Sequence, residues 1–148
     1  MAINKKGLRS QIQAIADTTH FAVLATDNDG FPYTNIIGYL LDDDLKSLYF
    51  FTSRHTRKFR NIQKNPFVSV LMDNREIYAD KTYLITAITM LGKATIIDRV
   101  HKHIQQRYLS RYRELGSFTE SSFSKLIKID ISKYIVVNRF QEVIEMEP

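Results

Sequence analysis

No cysteine occurs anywhere in the 148 residues. A disulfide framework, a thiolate nucleophile and a cysteine-ligated zinc are thereby excluded, and any redox chemistry has to come from a cofactor. Long apolar runs are missing too. The longest, Ile36 to Leu41, is six residues, against the roughly 18 that a membrane span needs. The opening MAINKKGLRSQ has no apolar core of the kind a secretion signal carries. These absences predict a soluble, cytoplasmic protein without a membrane partner. A GxSxG elbow, a P-loop and a GxGxxG turn are also absent, and Ser121 and Ser122 have no base nearby in sequence, so hydrolase chemistry finds no support. With no internal repeat, linker or low-complexity tract, residues 1–148 are expected to form a single domain.

What is present is a globular composition. Hydrophobic residues make up 44% and charged ones 25%, and a chain of this length buries about two-thirds of its unfolded surface around one core. Eight tyrosines and nine phenylalanines supply bulk for that core or for an aromatic-lined pocket. The net charge of +5 is local: Lys46, Arg54, Arg57, Lys58, Arg60 and Lys64 fall between Leu45 and Met72, where there is no acid. The rest of the chain is nearly balanced. One bound anionic group fits this better than a nucleic-acid surface, which would spread basic residues over a face, and no nucleic-acid-binding signature occurs.

Residues 8–16 place Leu8, Ile12, Ile15 and Ala16 at helical spacing and predict an amphipathic helix. HFAVLATD reads as a strand, NDGFP as a turn in which Gly30 takes positive φ, and Tyr33 to Leu41 as the returning strand. After a turn at Asp42 to Asp44, SLYFFT is the next strand, giving a three-stranded antiparallel meander. From Ser53 to Asn65 a helix of about three turns is expected, capped by Thr52 or Ser53 and ended by Asn65 and Pro66. FVSVLMD is a strand. Tyr83 to Ile97 is one long bent strand or two short ones, with a bulge or a close backbone approach at Gly92. Asp98 to Arg113 forms a helix with Val100, Ile104, Tyr108 and Tyr112 on one stripe and Gly116 at its end. A short helix near Phe118 and the strands IKIDIS, YIVVN and EVIEM complete a mainly β chain with peripheral helices.

The passage FFTSRHTRKF carries the chemistry. A helix start offers free N–H groups and the positive end of the dipole, the hydroxyls of Thr52, Ser53 and Thr56 can donate, and Arg57 and Lys58 add full charges. A phosphate fits. A solvated basic helix fits the same residue types, and those types alone do not choose between the two. His20, His55, His101 and His103 are scattered, and the last two, spaced two apart on a helix, point to different faces. Surface histidines and no metal site are expected, with a single haem-ligating histidine left open. Asp42, Asp43 and Asp44 read as turn caps, since the other positions of a calcium loop are missing.

The run from Ala25 to Asp73, continued by ITMLGKATII, resembles the pyridoxamine 5′-phosphate oxidase-like family of FMN-binding split barrels. The likeness spans roughly residues 8 to 140. It is carried by the DG-x-P hairpin at Asp29 to Pro32, the aromatic strand ending in Thr52, the T-R-K triplet at Thr56 to Lys58, the N-P pair and the L-G-K-A stretch at Leu91 to Ala94. It implies a six- to seven-stranded antiparallel split β-barrel and a homodimer with FMN in clefts between the subunits. Thr56, Arg57 and Lys58 match the family's phosphate-binding positions. Phe51 and Thr52 match the strand end at the cofactor, and Asn35, Ile36 and Ile37 match the strand beside the flavin ring. Thr89 matches a contact from the partner subunit. The basic residue that true pyridoxamine phosphate oxidases carry near Ile36 is absent, Ala87 replaces a polar flavin contact, and their C-terminal Arg and His segment is not found. The resemblance is closer to the haem-utilisation branch, whose members bind or degrade haem. It implies an FMN-dependent oxidoreductase acting on a small planar substrate, or alternatively a flavin- or haem-binding protein without flavin turnover. No catalytic residue is identified.

Overall fold

A computed structural model describes residues 4–148. Helix α1 (Lys5–Thr18) begins where the Asn4 side chain accepts the Gly7 N–H at 2.7 Å, and it buries the expected stripe Leu8, Ile12, Ile15 and Ala16. Strands β1 (Phe21–Asn28) and β2 (Phe31–Gly38) pair antiparallel across a two-residue turn. Asp29 and Gly30 both take positive φ there, 51° and 90°, the geometry that lets a tight turn follow the twist of its strands.

The predicted meander stops at β2. The stretch read as one strand from Tyr33 to Leu41 breaks at Tyr39, and β3 (Leu40–Leu41) pairs with β4 (Ser47–Ser53) while β2 stays on β1. With β5 (Phe67–Asp73), β6 (Thr86–Ile97), β7 (Ser124–Asn138) and β8 (Glu142–Met146), the antiparallel order is β2-β1-β5-β6-β7-β4-β3, and β8 pairs with β7. Only Tyr39 separates the two ends of that order in sequence, so the sheet has to curl until its ends meet. The result is the split barrel that the sequence resemblance implied, mainly β with peripheral helices.

The break has a physical cause. The Tyr112 hydroxyl accepts the Tyr39 N–H at 2.7 Å, donates to the His20 carbonyl, and lies 2.9 Å from the Tyr39 carbonyl. Backbone groups that a continuing ladder would use are thus taken by a side chain from α3 (Lys102–Arg111) and its C-cap. Gly38 makes room for this: a Cβ there would lie 3.0 Å from the Tyr112 ring and 3.3 Å from the Tyr108 hydroxyl.

Three further expectations change. IKIDIS and YIVVN are one strand of fifteen residues, β7. Val100 lies outside α3 and is exposed, and Gly116, with φ −54°, ends a separate 3-10 turn, Arg113–Leu115, and opens α4 (Gly116–Glu120), while α3 itself ends earlier, at Arg111. The expected features at Gly92 are both present: β6 shifts register between Leu91 and Gly92, and a Cβ at Gly92 would sit 2.6 Å from the Asp130 carbonyl oxygen.

The barrel interior holds the main core, roofed by α1 and by Phe59 and Ile62 of α2 (Arg57–Lys64). A second cluster of Leu40, Phe51, Ile104, Tyr108, Tyr112 and Leu126 lies under α3, outside the sheet. Strand β4 separates the two, with Phe50 in one and Phe51 in the other, which explains why SLYFFT is apolar on both faces. Among the described residues no helix is long and apolar enough to cross a membrane.

Candidate functional site

The passage from β4 into α2 is built on hydroxyls. Thr56, and not Thr52 or Ser53, is the N-cap, so the helix is eight residues long and starts later than expected. Its Oγ1 accepts the Phe59 N–H at 3.4 Å and donates to the Ser53 carbonyl at 2.9 Å. The Thr52 hydroxyl, 3.0 Å away, therefore donates to Thr56, while Ser53 Oγ accepts the His55 N–H at 3.2 Å. These hydroxyls shape the turn: Thr56 and Thr52 spend their protons within it, while the Ser53 hydroxyl only accepts there and keeps its own proton to donate.

Other groups remain for an anion. The N–H groups of Arg57 and Lys58, in the first turn, have no backbone acceptor. Neither the Arg57 guanidinium nor the Lys58 ammonium forms an ion pair among the described residues. Lys58 is half-buried, and burial pushes its pKa below the ordinary 10.5. Farther along, Lys64 lies 3.5 Å from Asp29, and Arg60 donates to the His55 carbonyl at 2.8 Å. Unanswered charge is thus concentrated at the helix start, where the dipole adds to it.

Strand β2 forms the opposite wall. Tyr33, Asn35 and Ile37 share a face with their partners Thr26, Leu24 and Ala22 on β1. The Arg57 guanidinium lies over the Tyr33 ring, 5.3 Å from its centroid. Asn35 Oδ1 is buried and has no hydrogen-bond partner among the described residues. Asn61 of α2 donates to Thr26 Oγ1 at 2.9 Å, which holds the helix on β1. Thr52 and Thr56 are thus in contact, Arg57 meets Tyr33, Lys58 follows Arg57 in the first turn of α2, and Asn35 lies two residues on from Tyr33 on the same strand face. Sequence reasoning missed Tyr33, although its period-two relation to Asn35 was a signal.

The remaining candidates lie elsewhere. Ile37 is in the barrel core, and the Phe51 ring is edge-on to Tyr108 at 4.9 Å in the second cluster, so neither side chain is free for a ligand. Ile36, 68% exposed, points to the outer face of the sheet. Ile36, Val23, Leu71, Thr89 and Ile135 are successive cross-strand partners there. Thr89 is three strand spacings from Ile36, about 14 Å, so the two side chains do not touch each other within one chain. Two depressions of about 490 and 540 Å³ also lie on this side. The first is floored by Ala25, Ser69 and Leu91, the second by Val23, Ile36 and Leu71. Neither reaches Arg57 or Lys58. The polar chemistry and these two depressions are on different walls of a single chain. All four histidines are exposed, as expected.

Known proteins share this architecture. The structure of a haem-binding protein from Mycobacterium smegmatis superposes with a TM-score of 0.83 at 16% identity, over 98% of this chain and 60% of that one. Campylobacter jejuni ChuZ gives 0.83 at 17% identity, over 99% and 61%. The chain thus spans about three-fifths of the length of these two proteins. A FAD-binding protein from Mesorhizobium loti gives 0.63 at 20% identity, over 86% and 90%. No curated protein matches the sequence. A family model described as pyridoxamine 5′-phosphate oxidase matches residues 8–138, from the middle of α1 to the end of β7. Since that stretch holds seven of the eight strands and the whole α2 constellation, the chain belongs to the pyridoxamine 5′-phosphate oxidase family.

Proposed function

We propose that the chain is a flavoprotein that holds FMN by its phosphate at the start of α2 and uses it as an oxidoreductase on a small planar substrate. The observation that carries this reading is the pair of unpaired cations, Arg57 and Lys58, above free helix N–H groups. The buried, partnerless Asn35 Oδ1 supports it, since an oxygen left without a donor fits a ring N–H of the ligand. Arg57 and Lys58 would bind the phosphate, and Asn35 would orient the ring edge. The flavin, when bound, supplies the redox chemistry, while the protein supplies anchoring and the shape of the cleft.

The reading includes a homodimer. The outer row Ile36, Val23, Leu71 and Ile135 is apolar and open on β2. A second copy laid on it would bury that surface, close the two depressions, and bring Thr89 of the partner subunit toward Ile36. The Mycobacterium smegmatis neighbour favours a second reading, a haem- or flavin-binding protein without flavin turnover.

Fluorescence titration tests the phosphate assignment, and reduction of the bound flavin followed in the visible spectrum separates turnover from binding alone. FMN should bind more tightly than riboflavin, and replacing both Arg57 and Lys58 by Ala should cost about 2–4 kcal/mol of FMN affinity, taking ~1.5–3 for each charged hydrogen bond with partial compensation. Equal affinity for FMN and riboflavin would sink the phosphate assignment. A Soret band on adding haem, with no flavin uptake, would favour the second reading.

A further inference from the structure

Arg57 is exposed and has no carboxylate partner among the described residues, yet its guanidinium lies over a specific ring, that of Tyr33. An exposed arginine with no partner ordinarily samples many rotamers, and ordering it costs entropy when a ligand binds. Stacking on an aromatic face uses the flat side of the guanidinium. Its N–H groups lie in the plane and stay free for a bidentate contact with a phosphate. The ring itself is well placed. Tyr33 pairs with Thr26, and the Thr26 hydroxyl accepts from Asn61 of α2 at 2.9 Å, so strand and helix are tied together one turn past Arg57. Asn35 follows on the same strand face, so Tyr33 stands between the cationic end of the site and the unpartnered amide oxygen.

We propose that Tyr33 is a positioning residue that presets Arg57 for the phosphate and thereby sets the preference for a phosphorylated flavin over its unphosphorylated form. The proposal rests on the phosphate assignment at α2. Lys58, a point charge without an aromatic partner, contributes attraction but not this geometry.

The test measures FMN and riboflavin dissociation constants, with melting temperatures, for the wild type and for Tyr33→Phe, Tyr33→Leu and Arg57→Lys. Tyr33→Phe should keep the wild-type ratio of the two constants. Tyr33→Leu should weaken FMN binding about three- to fivefold and leave riboflavin unchanged, the worth of a cation–π contact at an exposed site, and Arg57→Lys, which loses the flat bidentate fork, should weaken FMN at least as much with riboflavin unchanged. Tyr33→Leu should have no further effect on FMN in an Arg57→Ala background. An unchanged ratio in Tyr33→Leu, or equal weakening of both ligands, overturns the proposal while leaving the phosphate site standing. A wild type that does not prefer FMN overturns the phosphate assignment itself. If Tyr33→Leu does not fold, Arg57→Lys, a change at an exposed side chain, decides: full FMN preference there overturns the proposal.

Discussion

Lys58→Met separates a ligand-binding cation from a solubilising one. The substitution removes the ammonium and keeps an unbranched stem of similar length. Among the described residues the ammonium has no ion-pair partner, and its pKa is lowered by burial, so its surroundings oppose its charge. Removing that charge should leave stability within about 0.5 kcal/mol of wild type, or raise it slightly. FMN affinity should behave differently. Loss of one hydrogen bond to a charged group costs ~1.5–3 kcal/mol, about a 10- to 150-fold weaker constant, while riboflavin binding should not change. The pH dependence gives a second handle. A bound phosphate raises the Lys58 pKa, so FMN affinity is full below the free-protein value and declines as pH rises through it, a decline that Lys58→Met should lose. Paired thermal melts and fluorescence titrations measure both quantities. A destabilised variant with unchanged FMN affinity would refute the reasoning and return the helix to a solvated basic face.

Three other outcomes follow from the same geometry. Tyr112→Phe leaves the buried Tyr39 N–H without its 2.7 Å acceptor, which should cost about 1–3 kcal/mol, or roughly 2–12 °C in melting temperature; an unchanged melting temperature would show that the barrel closes without this bond. Burial raises the pKa of Tyr39, Tyr108 and Tyr134 above the ordinary 10.0. Their contribution is therefore fully present below pH 10 and lost as pH rises through the folded values, by up to ~1.4 kcal/mol per pH unit for each. Phenolate absorbance and circular dichroism should change together in alkali, and ionisation of all eight tyrosines with the fold intact would contradict this. Leu71→Asp, in the middle of the outer row, should yield a monomer by light scattering if the face is covered by a second copy; an intact dimer would move the interface elsewhere.

Local features of this fold were legible in the sequence because their causes are local. The NDG turn needs only its own φ angles, the α1 stripe only its own spacing, and FVSVLMD was placed residue for residue. The pairing of β4 was not legible. Three strands in succession suggest a meander, and what prevents it is a hydroxyl that arrives from Tyr112, 73 residues after Tyr39. The one hint was negative: SLYFFT lacks the alternation of a strand with a wet face, because β4 has a cluster on each side. The α2 cap was misplaced for a related reason. Thr52, Ser53 and Thr56 are all good caps, and the choice among them is made by the turn that closes from the Thr56 N–H to the Ser53 carbonyl at 3.2 Å. Nor could the sequence say which cations stay unanswered, since Asp29 meets Lys64 only after the β1–β2 hairpin has formed.

Strand β2 shows how one short stretch serves closure, core and site at once. Its period of two sorts the residues. Tyr33 carries Arg57, Asn35 keeps a free oxygen, Ile37 fills the core, and Tyr39, just past the strand, is the hinge where the sheet turns back on itself. The residues between them, Thr34 and Ile36, face outward, Ile36 in the row that a second copy would cover and Thr34 in the next row, beside Ala25. A shift of one residue in this register would exchange the two sets, moving the partnerless amide to the outside and Ile36 to the inside. The hairpin at Asp29 and Gly30 and the anchor at Tyr39 fix the register from both ends. Residues with no direct part in binding therefore decide whether Arg57 meets Tyr33 at all.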